Sequence, residues 1–240
     1  MSAPRFSNPI FVALDTPDLP KALALAAAVK PHVGGLKVGL EFITALGPDA
    51  VRKIVATGLP VFADVKFHDI PNTVAGAARE IARLGATIFN IHVSGGEAMM
   101  RAAVEAARGI DPGMKIIGVT ILTSMTDADL ESVGQRGPAL AQVERLATLA
   151  KHCGLDGVVC SPRETTLVRK ACGPDFLIVT PGVRPLGSDL ADQRRVTTPA
   201  DAMRAGSDIL VVGRPITAAS DPAAAAKAIL AEIEAAKTTA

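Results

Sequence analysis

Apolar residues fall along this chain in two alternating rhythms. Short runs rich in β-branched and other apolar residues recur at PIFVALD (9–15), GGLKVG (34–39), PVFADVK (60–66), ATIFNIHV (86–93), KIIGVTIL (115–122), GVVCS (157–161), FLIVTPGV (176–183) and DILVVGR (208–214). Longer alanine-rich stretches with helical spacing separate them, among them LPKALALAAAVKP, EFITALGPDAVRKIVATG, NTVAGAAREIARLG and GEAMMRAAVEAARG, and the last is DPAAAAKAILAEIEAAK. Strands joined by helices of this length form parallel βαβ units with right-handed crossovers. Eight such units without a break in composition predict an α/β fold, a (β/α)8 TIM barrel, as a single domain over residues 1–240. A doubly wound open sheet is the alternative, but its glycine-rich turn after the first strand is absent, because DTPD stands there instead.

Strand parity assigns the charges. Residues two apart share a face, so the first strand sends Phe11, Ala13 and Asp15 one way and the aliphatic Ile10, Val12 and Leu14 the other. The second pairs Lys37 with Gly35 and Gly39, and the third pairs Asp64 and Lys66 with Phe62. Asp15, Lys37, Asp64 and Lys66 are thus expected to converge inside the barrel mouth, at the strand C-termini where barrel enzymes place their chemistry. A purely structural ion-pair network would be an expensive plug, since burying charges costs more than an apolar filling. Unit charges about 4 Å apart interact by roughly 4 kcal/mol at an effective dielectric near 20, so a lysine held between aspartates is expected to stay protonated. That suits Lys66 to donating a proton and not to forming a Schiff base; Lys37 is less firmly excluded from the latter.

The loops TPGVRP (180–185) and VVGRPIT (211–217) follow the seventh and eighth strands, where barrels commonly bind phosphate through backbone amides and a cation. The Gly213 amide and Arg214 are the expected grips. Two connections, about 123–137 and 184–199, are long and rich in Gly, Ser, Asp and Pro, which suits lids. His92 is read as a hydrogen-bonded rim or core histidine, and His68 is given no role. The four histidines, at 32, 68, 92 and 152, lack metal-ligand spacing.

Composition narrows the classes. Hydrophobic residues make up 49% and charged residues 20%, which fits a compact globular protein, and the net charge of +1 leaves no field that would draw nucleic acid or a membrane surface. Cys153, Cys160 and Cys172 form no CxxC pair and are expected to be reduced thiols. The N-terminal MSAPRFSNPIFVALD has no signal-peptide core and no run is long enough to span a bilayer, so a cytoplasmic location is expected.

Seven segments, FVALD (11–15), LKVG (36–39), DVKFHDIPNTV (64–74), VTILTSM (119–125), TPGVRP (180–185), DQRRVTTP (192–199) and VVGRPIT (211–217), together resemble the bacterial orotidine 5'-phosphate decarboxylases in order and spacing. The resemblance implies cofactor-free, metal-free conversion of orotidine 5'-phosphate to UMP in pyrimidine synthesis. It implies a charge network of Lys37, Asp64, Lys66 and Asp69, with Lys66 protonating C6 of the pyrimidine and Asp64 near the departing carboxylate. Asp15 and Lys37 would hold the ribose hydroxyls, and Thr123 the pyrimidine edge. Gly213, Arg214, Arg184 and Gln193 would bind or cover the phosphate. Asp69 and Thr73 would reach into the neighbouring site of a homodimer. Hexulose-6-phosphate synthase and keto-gulonate-phosphate decarboxylase carry a similar Asp-x-Lys-x-x-Asp, but IPNT, LTSM and the DQ-R loop favour the nucleotide enzyme. A non-catalytic barrel that binds a phosphorylated metabolite is the third reading.

Overall fold

The structure, a computed structural model, describes residues 6–185 and 197–238. Eight parallel strands, β1 (Ile10–Ala13), β2 (Gly35–Val38), β3 (Val61–Phe67), β4 (Ile88–His92), β5 (Lys115–Val119), β6 (Gly157–Val159), β7 (Leu177–Pro181) and β8 (Ile209–Val212), close on one another in sequence order as a barrel. Every expected strand is present. Several are shorter at their C-terminal ends than the apolar runs suggested, because the chain leaves the sheet there to build the upper rim.

The helices lie outside: α1 (Leu19–Val29), α2 (Leu40–Val55), α3 (Pro71–Arg83), α4 (Gly96–Arg108), α5 (Asp127–Ser132), α6 (Ala139–His152), α7 (Thr165–Cys172), α8 (Pro199–Arg204), α9 (Arg214–Thr217) and α10 (Pro222–Thr238). Local chemistry sets their starts. Asp18 caps α1 by accepting the Lys21 N–H at 3.0 Å, and α3 opens on Pro71, whose missing N–H is no loss in a first turn. The stretch expected as one helix after β2 is two helical pieces, broken where Gly47 takes φ 71 before Pro48. The long connection after β5 contains α5, started by a capping box in which Thr126 and Asp129 cap each other's backbone N–H groups.

Two apolar layers follow from parity. Ile10, Val12, Leu36, Val38, Ala63 and their counterparts face the helices in one large core. Phe11, Phe62, Ile88, Ile117, Leu177, Val179 and Ile209 fill the barrel interior, and Gly35 leaves the Phe11 ring its place, since a Cβ there would lie 2.4 Å from the ring. All three cysteines are buried as free thiols, and burial pushes the Cys160 thiol up, with Glu164 adding to the effect.

The lower rim is pinned by a repeated device. Thr87, Asp156 and Asp208 each immediately precede an even-numbered strand and close a two-bond ring with the odd-numbered strand before it. Their N–H groups donate to the carbonyls of Val61, Ile116 and Ile178, and their side chains accept the N–H of the same residues at 3.2, 2.9 and 2.7 Å.

Candidate active site

Register explains the cluster at the upper rim. Lys37 is opposite Ala13 on β1 and Phe62 on β3. Asp15 and Asp64 each stand two residues further on, so both project from the same inner face one step nearer the rim. The Leu14 N–H donates to the Lys37 carbonyl at 2.8 Å, which carries the β1–β2 pairing past the strand end and keeps Asp15 in place. Lys37 Nζ then lies 2.8 Å from Asp15 Oδ1 and 3.5 Å from Asp64 Oδ2. Lys66 Nζ lies 2.5 Å from Asp64 Oδ1. Charges therefore alternate Asp15, Lys37, Asp64, Lys66 across three strands, as parity required.

Burial grades this series. The Lys37 side chain is only 8% exposed and that of Asp64 16%, against 30% for Lys66 and 49% for Asp15. Burial alone would push the Asp64 carboxyl up, but the Lys37 and Lys66 ammoniums, with hydrogen bonds from Lys66 and Asn90, outweigh it and hold the group below its ordinary value. Gly39 provides the room for the Lys37–Asp15 pair, since it places no Cβ beside either charge.

A cavity of about 550 Å³ opens above these residues. Phe62, Val159, Val179 and Val211 contribute apolar lining, and Asp15, Lys37, Asp64 and Lys66 contribute the charges. Thr123, Arg184, Gly213 and Arg214 line it as well, so the loops after β5, β7 and β8 reach the same space as the charge series. Pro215 and Thr217, which follow Arg214 in VVGRPIT (211–217), line it too.

Asp69 and Thr73 do not line this cavity. Both are exposed where the chain leaves β3 and starts α3, and Asp69 Oδ1 accepts the Ile70 N–H at 2.7 Å. Gln193 lies outside the described residues. His92 packs against His68, with ring centroids 5.5 Å apart, and neither lines the cavity. Burial, then His68 and Lys66, lower the His92 pKa, while Asp64 opposes them.

Asn90 does not line the cavity but belongs to the charge series, and it is not among the residues expected from the sequence. It is fully buried on β4, donates from Nδ2 to Asp64 Oδ1 at 2.7 Å, and accepts the Lys66 N–H on Oδ1 at 2.7 Å. The available signal was parity, which sends it inward between Ile88 and His92 as the one amide side chain of β4.

Among the described residues no group of three or more His, Cys, Asp or Glu side chains is placed to hold a metal ion, and no helix is long and apolar enough to cross a membrane. A partly buried ammonium–carboxylate series, beside a cavity that two arginines and two glycines also line, can bind an anion and stabilise negative charge that develops on a reacting group.

Comparison with known proteins bears on the same region. Residues 8–229 match the model of a family described as "Orotidine 5'-phosphate decarboxylase / HUMPS family". The chain is 57% identical over 231 residues to an orotidine 5'-phosphate decarboxylase of Moorella thermoacetica, covering 94% of this chain and 92% of that protein. It is 53% identical over 232 residues to one of Paramagnetospirillum magneticum, covering 94% and 98%. The fold is similar to the crystal structure of orotidine 5'-phosphate decarboxylase from Lactobacillus acidophilus, with a TM-score of 0.84 and 39% identity over 95% of this chain and 99% of that one.

Proposed function

The chain belongs to the orotidine 5'-phosphate decarboxylase / HUMPS family, and from that premise we propose that it is a carboxy-lyase converting orotidine 5'-phosphate to UMP. The observation that carries the reading is the alternating Asp15–Lys37–Asp64–Lys66 series beside a cavity that Thr123, Arg184, Gly213 and Arg214 also line. It would act as a homodimeric, cytoplasmic enzyme of de novo pyrimidine synthesis.

In this reading the phosphate is held by Arg214 and the Gly213 amide, with Arg184 and Gln193 closing over it. Asp15 and Lys37 hold the ribose hydroxyls, and Thr123 meets the pyrimidine edge. The bond between C6 and the carboxyl carbon breaks, carbon dioxide leaves, and the electron pair stays on C6. The Lys66 ammonium stabilises that carbanion and then transfers a proton to it, forming the C6–H bond and leaving a neutral amine that regains a proton from water. Asp64 sits beside the departing carboxylate and orients Lys66. Gripping the phosphate supplies remote binding energy that is used at the reacting carbon. Asp69 and Thr73 serve the partner's site, which accords with their exposure beyond the end of β3.

An ultraviolet assay with orotidine 5'-phosphate tests this directly. The purified protein is expected to consume the nucleotide with a chelator present, and Lys66→Ala is expected to bind UMP while losing turnover. Unchanged turnover in Lys66→Ala removes its assigned role. A metal-dependent reaction on a sugar phosphate, which the shared Asp-x-Lys-x-x-Asp would also serve, would instead show turnover that the chelator abolishes. UMP binding without any turnover would mark a binding protein.

A further inference from the structure

We propose that Asn90 is the positioning residue for the proton donor, holding Lys66 in an otherwise unfavourable backbone conformation. The inference rests on the decarboxylase reading above and concerns how its reacting group is kept in place.

Lys66 has φ 51, and among the described residues no other non-glycine residue has a positive φ. A side chain makes that left-handed region costly, so something must hold the chain there. Lys66 has no registered partner in the β-ladder. Ala63 pairs with Phe89 and the next registered pair is Phe67 with Ile91, so β3 advances four residues while β4 advances two. In the interrupted stretch the Lys66 N–H donates to a side chain, the Asn90 amide oxygen, at 2.7 Å.

The other end of the same amide completes a ring. Asn90 Nδ2 donates to Asp64 Oδ1 at 2.7 Å, and that oxygen also accepts Lys66 Nζ at 2.5 Å. Lys66 is therefore held at both its backbone and its ammonium through one carboxylate oxygen and one amide. The polarity is forced, because a backbone N–H can only donate and an ionised carboxylate can only accept. A buried group between them must offer one acceptor and one donor at short reach, which is what an asparagine amide supplies. With the amide removed, Lys66 is free to return to ordinary extended φ, and its ammonium swings away from the reacting carbon.

Steady-state kinetics and UMP calorimetry on Asn90→Ala and Asn90→Asp test this. Asn90→Ala is expected to lower kcat by about a hundredfold, the scale of a misplaced reacting group. Its UMP affinity is expected to stay within about threefold, because the phosphate and ribose contacts lie on other strands. Asn90→Asp puts a second carboxylate against Asp64, which raises the pKa of the pair. Once protonated, that side chain again offers one donor and one acceptor. The ratio of its kcat to that of the wild type is therefore expected to rise as pH falls, and this variant carries the test if Asn90→Ala does not fold. The inference is overturned by an Asn90→Ala kcat within about threefold of wild type, by equal losses in kcat and UMP affinity, or by a pH-independent Asn90→Asp ratio. Wild-type protein that leaves orotidine 5'-phosphate unconsumed withdraws the underlying reading instead.

Discussion

Gly39 and Lys37 share a space that holds only one side chain: a Cβ on Gly39 would lie 2.7 Å from Lys37 Nζ, and 2.8 Å from the Asp15 Oδ1 to which that ammonium is paired. Gly39 has φ −101, which alanine adopts freely, so Gly39→Ala disturbs the ion pair and not the backbone. The variant is expected to keep its melting temperature and to lose about tenfold or more in kcat/KM, the scale of one charge-assisted contact. Steady-state kinetics beside a thermal melt check both halves.

Acid stability should follow Asp64. Its folded pKa is depressed below the ordinary 3.8, so the unfolded chain binds the proton more readily. The stabilisation is fully present above the ordinary value and is lost as pH falls through the depressed one. The stability advantage of wild type over Asp64→Asn, measured by urea titration at a series of pH values, is expected to be largest near neutrality and to shrink in acid.

His92 offers a local probe of the same charges. Burial, His68 and Lys66 lower its pKa below the ordinary 6.5 while Asp64 works the other way. Its imidazole resonances are expected to titrate below that value, and Asp64→Asn is expected to move the midpoint lower still. A higher midpoint in the variant would mean that Asp64 does not act on the ring as a negative charge.

Much of this site was legible because strand parity is insensitive to detail. Asp15, Lys37 and Asp64 sit where a period of two puts them, and even Lys66 keeps its side although its backbone leaves the regular extended region. Asn90 obeys the same parity and was passed over because it is neutral; its importance arises from Lys66 and Asp64, 24 and 26 residues earlier on the neighbouring strand. The Gly47 break and the capping box of α5 were readable as Gly-Pro and as Thr126 with Asp129. A continuous apolar period across the first stretch masks the break, and the polar composition of the second masks its short helix. The side-by-side packing of His68 and His92 depends on how the chain leaves β3, which no strand pattern encodes.

Arg169 is expected to matter for stability and not for chemistry. Its guanidinium donates to the carbonyls of Gly173, Pro174, Phe176 and Gly206 and to Asp208 Oδ2, all between 2.6 and 3.1 Å. Arg169→Ala strands these acceptors at the base and is expected to cost about 3 kcal/mol. Chemical denaturation measures the loss, and KM for orotidine 5'-phosphate is expected to stay unchanged.

If Asp69 serves a partner's site, the dimer gives a genetic readout. Lys66→Ala and Asp69→Ala are each expected to be nearly inactive alone. After the two are unfolded and refolded together, half the dimers are hybrids with one undamaged site each, so about a quarter of wild-type activity should return. Absence of recovery would place Asp69 in its own chain's site or outside catalysis.

The three rings formed by Thr87 with Val61, Asp156 with Ile116 and Asp208 with Ile178 join β3 to β4, β5 to β6 and β7 to β8. At the first pair of strands Asn8 takes a comparable place, accepting the Ile10 N–H and donating to the His32 carbonyl just before β2. The barrel thus carries a fourfold grain, in which double βα units are fastened internally and meet at seams where, among the described residues, this device does not recur. A chain opened between α4 and β5 would divide along such a seam, leaving two fastened units on either side. Half-barrels cut there would keep their internal fastenings, and to close again they would have to re-form the five registered β4–β5 pairs and the Arg108–Asp156 ion pair.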